Sequence, residues 1–391
     1  MTKYLFILGQ ADKLAQEELK AILSSTTDNI EISAPGFILA QTKQKSTELM
    51  PTLGGTIKIA HFLDKINNLS ELNLQKWLSY LQTNIQSDKK INFGFSLYNG
   101  SEKNYAQIKQ LALTLKRELK SQGHKTRLVT GQSPDLSSVI IQKNNLVNFE
   151  LIIIKNNNGW LLGLTEIVQD FEKYGLRDMK RPNRDDESGM LPPKVAQMMI
   201  NLAGANRQRT FLDPFCGSGT ILQEAMLLGY RSVYGSDVNS KAVDDTIANL
   251  KWLRETFSLN SKFNIRQIDI KNLNKNFAQD SISLIVSEPF MGDARFVQKQ
   301  RRVKDLEKTK NELQQLYTTA FQQFKKVLKP DGQVVFIFPI FSLKGEEMFT
   351  LDQKIISQLG FKLKKDIVYS RPKQKIQRQI TLWKLKINPT D

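Results

Sequence analysis

TFLDPFCGSGT, residues Thr210 to Thr220, is the stretch that decides the fold of this chain. An apolar strand pattern leads into an aspartate, and two glycines then precede the helical pattern ILQEAMLLGY. Gly217 and Gly219 let the backbone turn sharply and approach a ligand closely. The Gly-Lys-Ser/Thr ending of a phosphate-binding loop is absent, and Asp213 opens the turn. A carboxylate at this point suits a cationic group, such as an ammonium, better than a pyrophosphate.

The sequence around this turn alternates between strand and helix patterns from Met190 onward. The strand patterns include SVYGSDV, FNIRQIDI, SISLIVSEPF and GQVVFIFP, and two of the helix patterns between them are SKAVDDTIANLKWLRE and DLEKTKNELQQLYTTAFQQFKKVLK. The tail adds a short helix pattern and two more strand patterns. This alternation predicts a doubly wound, mostly parallel sheet of the α/β class.

The N-terminal half has the pattern of two small α+β units. In the first, KYLFILG and FILAQT are typical of strands and KLAQEELKAILSS of a helix. In the second, KINFGFSLYNG, FELIIIK and GWLLGLTEI are typical of strands, and AQIKQLALTLKRELKSQG predicts an amphipathic helix that ends at Gly123. The polar stretch VQDFEKYGLRDMKRPNRDDESG predicts a linker before the α/β domain.

Composition narrows the class of partner. The 391-residue chain carries 56 Lys and Arg against 39 Asp and Glu, which gives a net charge of +17. Such an excess favours a nucleic acid, because neutralised phosphates release their counterions. The single cysteine, Cys216, excludes an internal disulfide framework, and with only two histidines we expect no metal site. No apolar run is long enough to span a membrane, so we expect a cytoplasmic protein.

Two further aspartates follow strand patterns in the α/β half. Asp237, in VYGSDVN, comes where an acidic side chain accepts hydrogen bonds from ribose hydroxyls. Asp269, in IRQIDIK, ends the next strand and suits an adenine amine. Each alone is typical of a loop or a helix cap. Together with Asp213 they predict a site for a nucleoside that carries an amine.

These segments resemble a known family. DPFCGSGT, YGSDVN and QIDI, followed by a turn similar to (Asp/Asn)-Pro-Pro-aromatic, look like the S-adenosylmethionine-dependent amino-methyltransferases. RDMKRPNRDDESGMLPPKVAQMMINLAG resembles the motif before the catalytic domain of the THUMP-containing tRNA guanine-N2 methyltransferases, which modify guanosine 10 of tRNA. LVTGQSPDLSSVIIQKNNL and LLGLTEIVQDFEKYGLRD resemble the second half of a THUMP domain and its exit linker.

The resemblance implies a domain order and partners. We expect a ferredoxin-like domain at residues 1–60, a THUMP RNA-binding domain at 61–167, a linker at 168–188, and a Rossmann-like class I methyltransferase domain with a mostly parallel seven-stranded sheet at 189–391. The cofactor is expected to be S-adenosyl-L-methionine and the partner tRNA, whose acceptor end the THUMP half would grip. We expect a monomer, and the need for a small activator subunit, as in eukaryotic members, stays open.

The resemblance also implies roles for site residues. Asp213 would face the amino group of the cofactor, Asp237 its ribose and Asp269 its adenine, while Leu191-Pro-Pro-Lys194 would close over the methionine side. The residues expected to hold the cofactor are Pro193, Asp213, Phe215, Gly217, Gly219, Asp237, Val238, Asp269 and Ile270. Cys216 is expected to be a small buried thiol and not a nucleophile.

The turn Ser287-Glu288-Pro289-Phe290 departs from the family pattern, and we expect the chemistry there. An exocyclic guanine amine is a poor nucleophile, so the site should accept its hydrogens and hold the nitrogen in line with the methyl group. The family turn uses an Asp or Asn side chain and a backbone carbonyl. Here Pro289 keeps the second proline and Phe290 the face that stacks on the base. Either Glu288 supplies the carboxylate from one position later, which we favour, or it points away and backbone carbonyls suffice.

Basic residues in both halves are expected to contact tRNA phosphates. Several of them lie in the loop DARFVQKQRRVK, directly after the turn, where a solvated helix face is the alternative. The full set is Lys125, Arg127, Lys143, Arg177, Lys180, Arg181, Arg184, Arg295, Arg301 and Arg302.

The expected activity is transfer of a methyl group from S-adenosylmethionine to the N2 amine of a guanosine in tRNA, at position 10. Two alternatives stay open. One is a DNA amino-methyltransferase acting on adenine or cytosine, against which the THUMP-like half argues. The other is a non-catalytic RNA-binding protein with a degenerate methyltransferase domain, which Ser287 and Glu288 permit. The number of methyl groups added is open as well.

Overall fold

The computed structural model describes residues 1–24, 29–82, 84–85, 90–184, 190–292, 303–343, 346–349, 353–371 and 376–386. The chain divides into two compact units. Met1–Asp12 and Thr26–Glu172 form one, called the N-terminal unit, and Lys13–Ser25 and Lys173–Asp391 form the other, called the C-terminal unit. None of the helices in these described ranges combines the length and apolar character that a membrane-spanning helix needs.

The described residues form helices throughout both units. In chain order they are α1 (Asp12–Leu23), α2 (Ser46–Leu49), α3 (Leu74–Gln82), α4 (Glu102–Ser121), α5 (Ser138–Lys143), α6 (Phe171–Met179), α7 (Pro193–Leu202), α8 (Thr220–Leu227), α9 (Ser240–Thr256), α10 (Leu273–Asn276), α11 (Val303–Val327) and α12 (Gln353–Gln358). Single 3-10 turns lie at Met50–Thr52, Leu69–Glu71 and Ile270–Asn272.

The N-terminal unit is built on one sheet. Its strands are β1 (Thr2–Leu8), β2 (Asn29–Ala34), β3 (Phe37–Thr42), β4 (Thr56–Ile66), β5 (Ile91–Tyr98), β6 (Thr126–Leu128), β7 (Glu150–Asn156) and β8 (Gly159–Val168). Their order is β2-β3-β1-β4-β8-β7-β5-β6. Strand β4 crosses the predicted boundary between residues 60 and 61, and the division of this unit into a ferredoxin-like and a THUMP domain stays a prediction.

Helix α4 shows how local sequence sets an element. Ser101 caps its first turn, because the Ser101 hydroxyl accepts a hydrogen bond from the Asn104 backbone N–H. Four apolar residues at helical spacing face the core: Ile108, Ala112, Leu115 and Leu119. The predicted stop at Gly123 is confirmed, since its φ of 90° lies in the left-handed region that ends helices.

The C-terminal unit is built on a second sheet. Its strands are β9 (Phe211–Asp213), β10 (Ser232–Asp237), β11 (Lys262–Gln267), β12 (Ile282–Ser287), β13 (Leu328–Leu343), β14 (Glu346–Phe349), β15 (Phe361–Tyr369) and β16 (Ile376–Leu385). Seven of them follow the order β11-β10-β9-β12-β13-β16-β15, and β14 pairs with β13. Strands β11, β10, β9, β12 and β13 are parallel, and β16 is antiparallel to both β13 and β15. The predicted mostly parallel, seven-stranded sheet is confirmed, and β14 is an addition to it.

One face of this sheet is covered by helix α11. Its Tyr317, Phe321 and Phe324 are fully buried against Phe336 of β13 and Trp383 of β16. The rings of Phe321 and Phe336 lie 5.3 Å apart in an edge-to-face arrangement, which stabilises aromatic pairs beyond the area they bury. This packing fixes α11 on the face of the sheet beside β13 and β16.

Two segments differ from the sequence prediction. The segment Lys13–Ser25, expected to belong with residues 1–60, is part of the C-terminal unit, where the Asn201 side chain of α7 donates a hydrogen bond to Glu18 at 2.6 Å. The apolar residues of α1 have helical spacing, and that spacing does not indicate which of the two hydrophobic cores the helix packs against. The sequence pattern therefore could not predict that α1 belongs to the C-terminal unit. The stretch expected as a linker contains helix α6.

Candidate active site

The acidic residues of the glycine-turn region lie at one edge of the second sheet. Asp213 ends β9 and Asp237 ends β10, and the two strands are parallel neighbours with Asp213 beside Gly235. Asp269 follows β11, whose Gln267 pairs with Asp237. Ser287 ends β12, on the other side of β9. Carboxyl ends of parallel strands are where open α/β sheets bind their ligands, so the structure brings the predicted site residues together at such an edge.

Asp213 is joined to the predicted base-facing turn by a hydrogen bond. The Ser287 hydroxyl donates to Asp213 Oδ1 at 2.6 Å, and the Phe215 backbone N–H donates to the same oxygen at 3.2 Å. Both side chains are buried. Burial raises the pKa of Asp213 to about 7; the hydrogen bonds from Ser287 and Phe215 oppose this rise, and the charges of Asp237 and Glu288 add to it.

Asp237 and Asp269 are held by backbone groups. Asp237 Oδ2 accepts from the Gly217 N–H and its Oδ1 from the Asn239 N–H, both at 3.0 Å. Asp269 Oδ1 accepts from the Lys271 N–H at 2.9 Å. Both carboxylates are half-buried, so each is fixed in direction while part of it faces the edge of the sheet. Fixed, accessible acceptors are what ribose hydroxyls and an adenine amine require.

The glycine turn leaves room beside its backbone. Gly217 has a φ of 51°, and a Cβ placed on it would meet no atom within 4 Å. Gly219 has a φ of 85° and faces inward, where a Cβ would lie 3.0 Å from Thr246 Cγ2. Gly217 is thus needed for the open side of the turn and Gly219 for its packing on α9. Cys216 is buried as expected, and burial raises the pKa of its thiol well above the ordinary value.

Hydrogen bonds join the segment after α6 to the glycine turn and to the start of α8. The sequence did not predict these contacts. The buried Asn249 amide of α9 donates to the Asn183 carbonyl at 2.9 Å and to the Ser218 carbonyl at 2.8 Å. The Arg181 guanidinium donates to the Thr220 hydroxyl, at the start of α8, at 2.6 Å. These bonds join the segment expected as a linker directly to the cofactor turn. An asparagine inside a helix pattern carries no signal that predicts such a bridge.

The turn after β12 is held from two sides. Arg378 of β16 donates from Nε to Glu288 Oε1 at 2.7 Å. The Tyr317 hydroxyl of α11 donates to the Phe290 carbonyl at 2.8 Å. Pro289 is buried, while the Phe290 side chain is 62% exposed. An exposed aromatic ring next to a fixed backbone is an arrangement suited to stacking on a base.

The other residues expected to hold the cofactor differ in how exposed their side chains are. Val238 is 64% exposed beside Asp237, and Phe215 is half-buried with its ring 6.3 Å from that of Phe336. Pro193 is buried at the first turn of α7, and its predicted contact with a cofactor stays a prediction. The Ile270 side chain, in the 3-10 turn that follows Asp269, packs in the hydrophobic core, and its contact with a cofactor stays a prediction.

Two of the basic residues expected to contact RNA are buried. Arg177 is buried and donates from Nε to Glu224 Oε1 at 2.7 Å, and Arg181 is buried against Thr220. A buried guanidinium that neutralises a buried carboxylate is not available to phosphates. Those at the surface are Lys125, Arg127, Lys143, Lys180 and Arg184. Arg295, Arg301 and Arg302 lie outside the described residues.

This geometry coincides with a match to a known family. Residues 181–342 match the UPF0020 family, described as an RMKL-like methyltransferase domain. The matched segment contains the glycine turn, the three aspartates and the turn after β12. Residues 181–342 form a methyltransferase domain.

The chain is also similar to proteins named tRNA (guanine(10)-N2)-dimethyltransferase. The one from Methanothermobacter thermautotrophicus is 36% identical over 104 residues, 27% of this chain and 28% of that protein. The one from Methanocaldococcus jannaschii is 27% identical over 192 residues, 48% of each chain. The one from Pyrococcus abyssi is 23% identical over 339 residues, 86% of this chain and 88% of that protein. The first two alignments thus span less than half of the relatives' length. The predicted family resemblance is confirmed for the methyltransferase domain.

Solved structures agree in fold. TrmN from Thermus thermophilus superposes with a TM-score of 0.56 at 16% identity, over 98% of this chain and 99% of that one. A possible methylase from Clostridium difficile gives 0.54 at 13% identity, over 100% and 99%. SMU.472, a putative methyltransferase in complex with SAH, gives 0.52 at 12% identity, over 100% and 99%. At these identities the likeness shows the fold alone, and it confirms the predicted Rossmann-like class.

Asp213 gives the methyltransferase domain a pH-dependent stability. In the folded state its pKa of about 7 lies above the unfolded value, so between these values the folded chain binds one more proton than the unfolded chain. The stability from this group is present in full below the unfolded pKa and is lost as the pH rises through about 7. In wild-type protein this group should lower the free energy of unfolding by about 3–4 kcal/mol between about pH 4 and pH 8, and we expect Asp213→Asn to lack this decrease.

The measurement is the free energy of unfolding of the full chain by denaturant at a series of pH values. Asp280→Asn is the matched control, because Asp280 is an exposed aspartate of the same domain. A difference between wild-type protein and Asp213→Asn that does not change with pH contradicts the assignment.

Proposed function

We propose that this chain is a tRNA methyltransferase that transfers a methyl group from S-adenosylmethionine to the exocyclic N2 amine of guanosine 10. One observation carries the proposal. The turn from Ser287 to Phe290 presents an exposed aromatic ring and is bonded, through Ser287, to the aspartate that opens the glycine turn. A base-stacking surface therefore adjoins the cofactor edge. The names of the relatives supply the nucleotide and its position.

The residues at the sheet edge fit the cofactor, which supplies an electrophilic methyl group on a sulfonium. Asp213 would face its ammonium, and a cation there favours the ionised form of a carboxyl group whose pKa lies near 7. Asp237 would accept from the ribose hydroxyls and Asp269 from the adenine amine. Val238, exposed beside Asp237, offers apolar surface to the purine ring. The open side of Gly217 lets the cofactor approach the backbone.

The turn after β12 would position the base. Phe290 stacks on the flipped-out guanine, which holds N2 in line with the methyl group. Bound S-adenosylmethionine would supply its methyl group to N2 and keep the electron pair of the broken carbon–sulfur bond. The methylated nitrogen would then carry a positive charge until it released a proton. Hydrogen-bond acceptors at the turn stabilise this developing charge and take the proton, and Glu288 is the carboxylate nearest in sequence to Phe290.

The N-terminal unit would bind the tRNA, and the THUMP assignment belongs to this proposal. The net charge of +17 supports a polyanionic partner. Three exposed basic residues of this unit, Lys125, Arg127 and Lys143, are the contacts we assign to phosphates. The monomeric state stays a prediction, and the need for an activator subunit stays open.

The direct test is nucleoside mass spectrometry after incubation of the purified chain with S-adenosylmethionine and a tRNA transcript. We expect N2-methylguanosine in wild-type tRNA and none in a transcript whose guanosine 10 is replaced by adenosine. Methylated adenine or cytosine in a duplex DNA substrate would favour the DNA amino-methyltransferase instead. No methyl transfer to any substrate, with tRNA binding intact, would favour a non-catalytic RNA-binding protein.

Phe290 gives a second test, of the stacking role. Base–aromatic stacking contributes about 1–3 kcal/mol per base, so Phe290→Ala should lower kcat/KM for tRNA by roughly 5- to 150-fold. Phe290→Tyr keeps the ring and should retain most of the activity. Val368→Ala is the matched control, because Val368 is another exposed apolar residue of the C-terminal unit. Equal kcat/KM for Phe290→Ala and wild-type protein would show that the ring does not hold the base.

A further inference from the structure

Arg378 is a buried arginine that contacts the turn of the proposed active site from a distant part of the sequence. It lies in β16, in register with Pro339 of β13, while Ser287 of β12 is in register with Phe336. Strand β13 lies between β16 and β12, which are therefore two strand spacings or about 10 Å apart, and the Arg378 side chain reaches across β13 to the residue after Ser287. Side-chain exposure is 7% for Arg378 and 14% for Glu288.

The charge of Glu288 depends on this contact. Burial raises the pKa of Glu288, and the positive charge and hydrogen bond of Arg378 oppose that rise. Among the residues that the structure describes, two other titratable groups face the carboxylate: Asp213 from β9 and the Tyr317 hydroxyl from α11, whose pKa is raised mainly by burial and also by the charge of Glu288. Of the three groups, Arg378 alone is a cation. Even with Arg378 the pKa of Glu288 is raised by burial, and loss of the cation is expected to raise it further.

An ionised Glu288 is the form that can serve the reaction. A carboxylate has about four acceptor sites, and the single Nε–H of Arg378 on Oε1 leaves others for a substrate. A protonated Glu288 is a poorer acceptor and can take no further proton. The turn is also fixed in place at Phe290, whose carbonyl accepts from Tyr317, so the carboxylate and the stacking ring keep one relative geometry.

We propose that Arg378 is a positioning residue for methyl transfer: through its ion pair it keeps the Glu288 carboxylate ionised and fixed, so that Glu288 accepts the hydrogens of the target amine and then its proton. This inference rests on the proposed function. It replaces the alternative in which Glu288 points away and backbone carbonyls suffice.

The test is the single-turnover rate of methyl transfer by the full chain, with saturating S-adenosylmethionine and tRNA, from about pH 5.5 to pH 9. We expect Arg378→Gln to lower the rate near neutral pH by about tenfold to hundredfold. The midpoint of the acid limb should move to higher pH, and raising the pH should restore part of the rate. Arg378→Lys keeps a cation and should shift the midpoint less. Arg231→Gln is the matched control, because Arg231 is an exposed arginine of the same domain.

The second part of the test uses the variant Glu288→Gln. It cannot titrate, so its rate should be low and should lose the acid limb that Glu288 produces. If Arg378 acts through Glu288, adding Arg378→Gln to Glu288→Gln should lower the rate no further. This double variant removes both charges, which keeps the test available if Arg378→Gln alone fails to fold because it leaves a buried unpaired carboxylate.

Three outcomes overturn the proposal. One is an Arg378→Gln rate and pH profile equal to those of wild-type protein. Another is a lower rate with an unmoved acid limb, which marks a merely structural role. The third is an additive loss in the double variant. Each of these requires an active wild-type protein, so each differs from failure of the proposed function, in which the wild-type chain itself transfers no methyl group to tRNA and the inference falls with it.

Discussion

The hydrogen bond from the Ser287 hydroxyl to Asp213 Oδ1 is the interaction on which the rest of the site depends. It joins the ends of two neighbouring parallel strands, β9, which leads to the glycine turn, and β12, which leads to the turn of the proposed active site. Both residues are buried, and the pKa of Asp213 is already raised by burial. A second carboxylate in place of Ser287 would have to share this space with Asp213. A hydroxyl adds no charge and donates the hydrogen that the carboxylate needs.

This contact bears on the unusual sequence of the turn. With Ser287 neutral and bonded to Asp213, the carboxylate that we propose for the reaction comes from the next position, Glu288. Glu288 does not contact Asp213 by a hydrogen bond; its carboxylate is paired with Arg378. The same pattern occurs behind the cofactor turn, where the buried Glu224 is paired with Arg177. In both places an arginine distant in sequence compensates a buried acid, because an unpaired buried charge is costly.

Much of the fold followed from local patterns. Alternating strand and helix periodicity predicted the parallel sheet, and the positions of Asp213, Asp237 and Asp269 at strand ends predicted their common edge. Residues whose role depends on long-range contacts were not predictable. Arg177 lies in a basic stretch of sequence, which led to its prediction as an RNA contact, but its side chain is buried and paired with Glu224. In the part of the chain that the structure describes, two helices, α11 and α12, and three strands separate Glu288 from Arg378, and nothing in the basic stretch around Arg378 indicates burial. Asn249, inside α9, likewise shows its role only through its contacts.

The central claim is that the carboxylate of the turn stands at position 288 because position 287 faces Asp213. Its most direct test is the single-turnover rate of methyl transfer to tRNA by Ser287→Asp, with the uncharged Ser287→Asn as control. Two carboxylates in one buried site raise the pKa of one of them strongly. The account therefore predicts a rate for Ser287→Asp at least about tenfold below that of Ser287→Asn at neutral pH. A rate for Ser287→Asp equal to or above that of wild-type protein would contradict it.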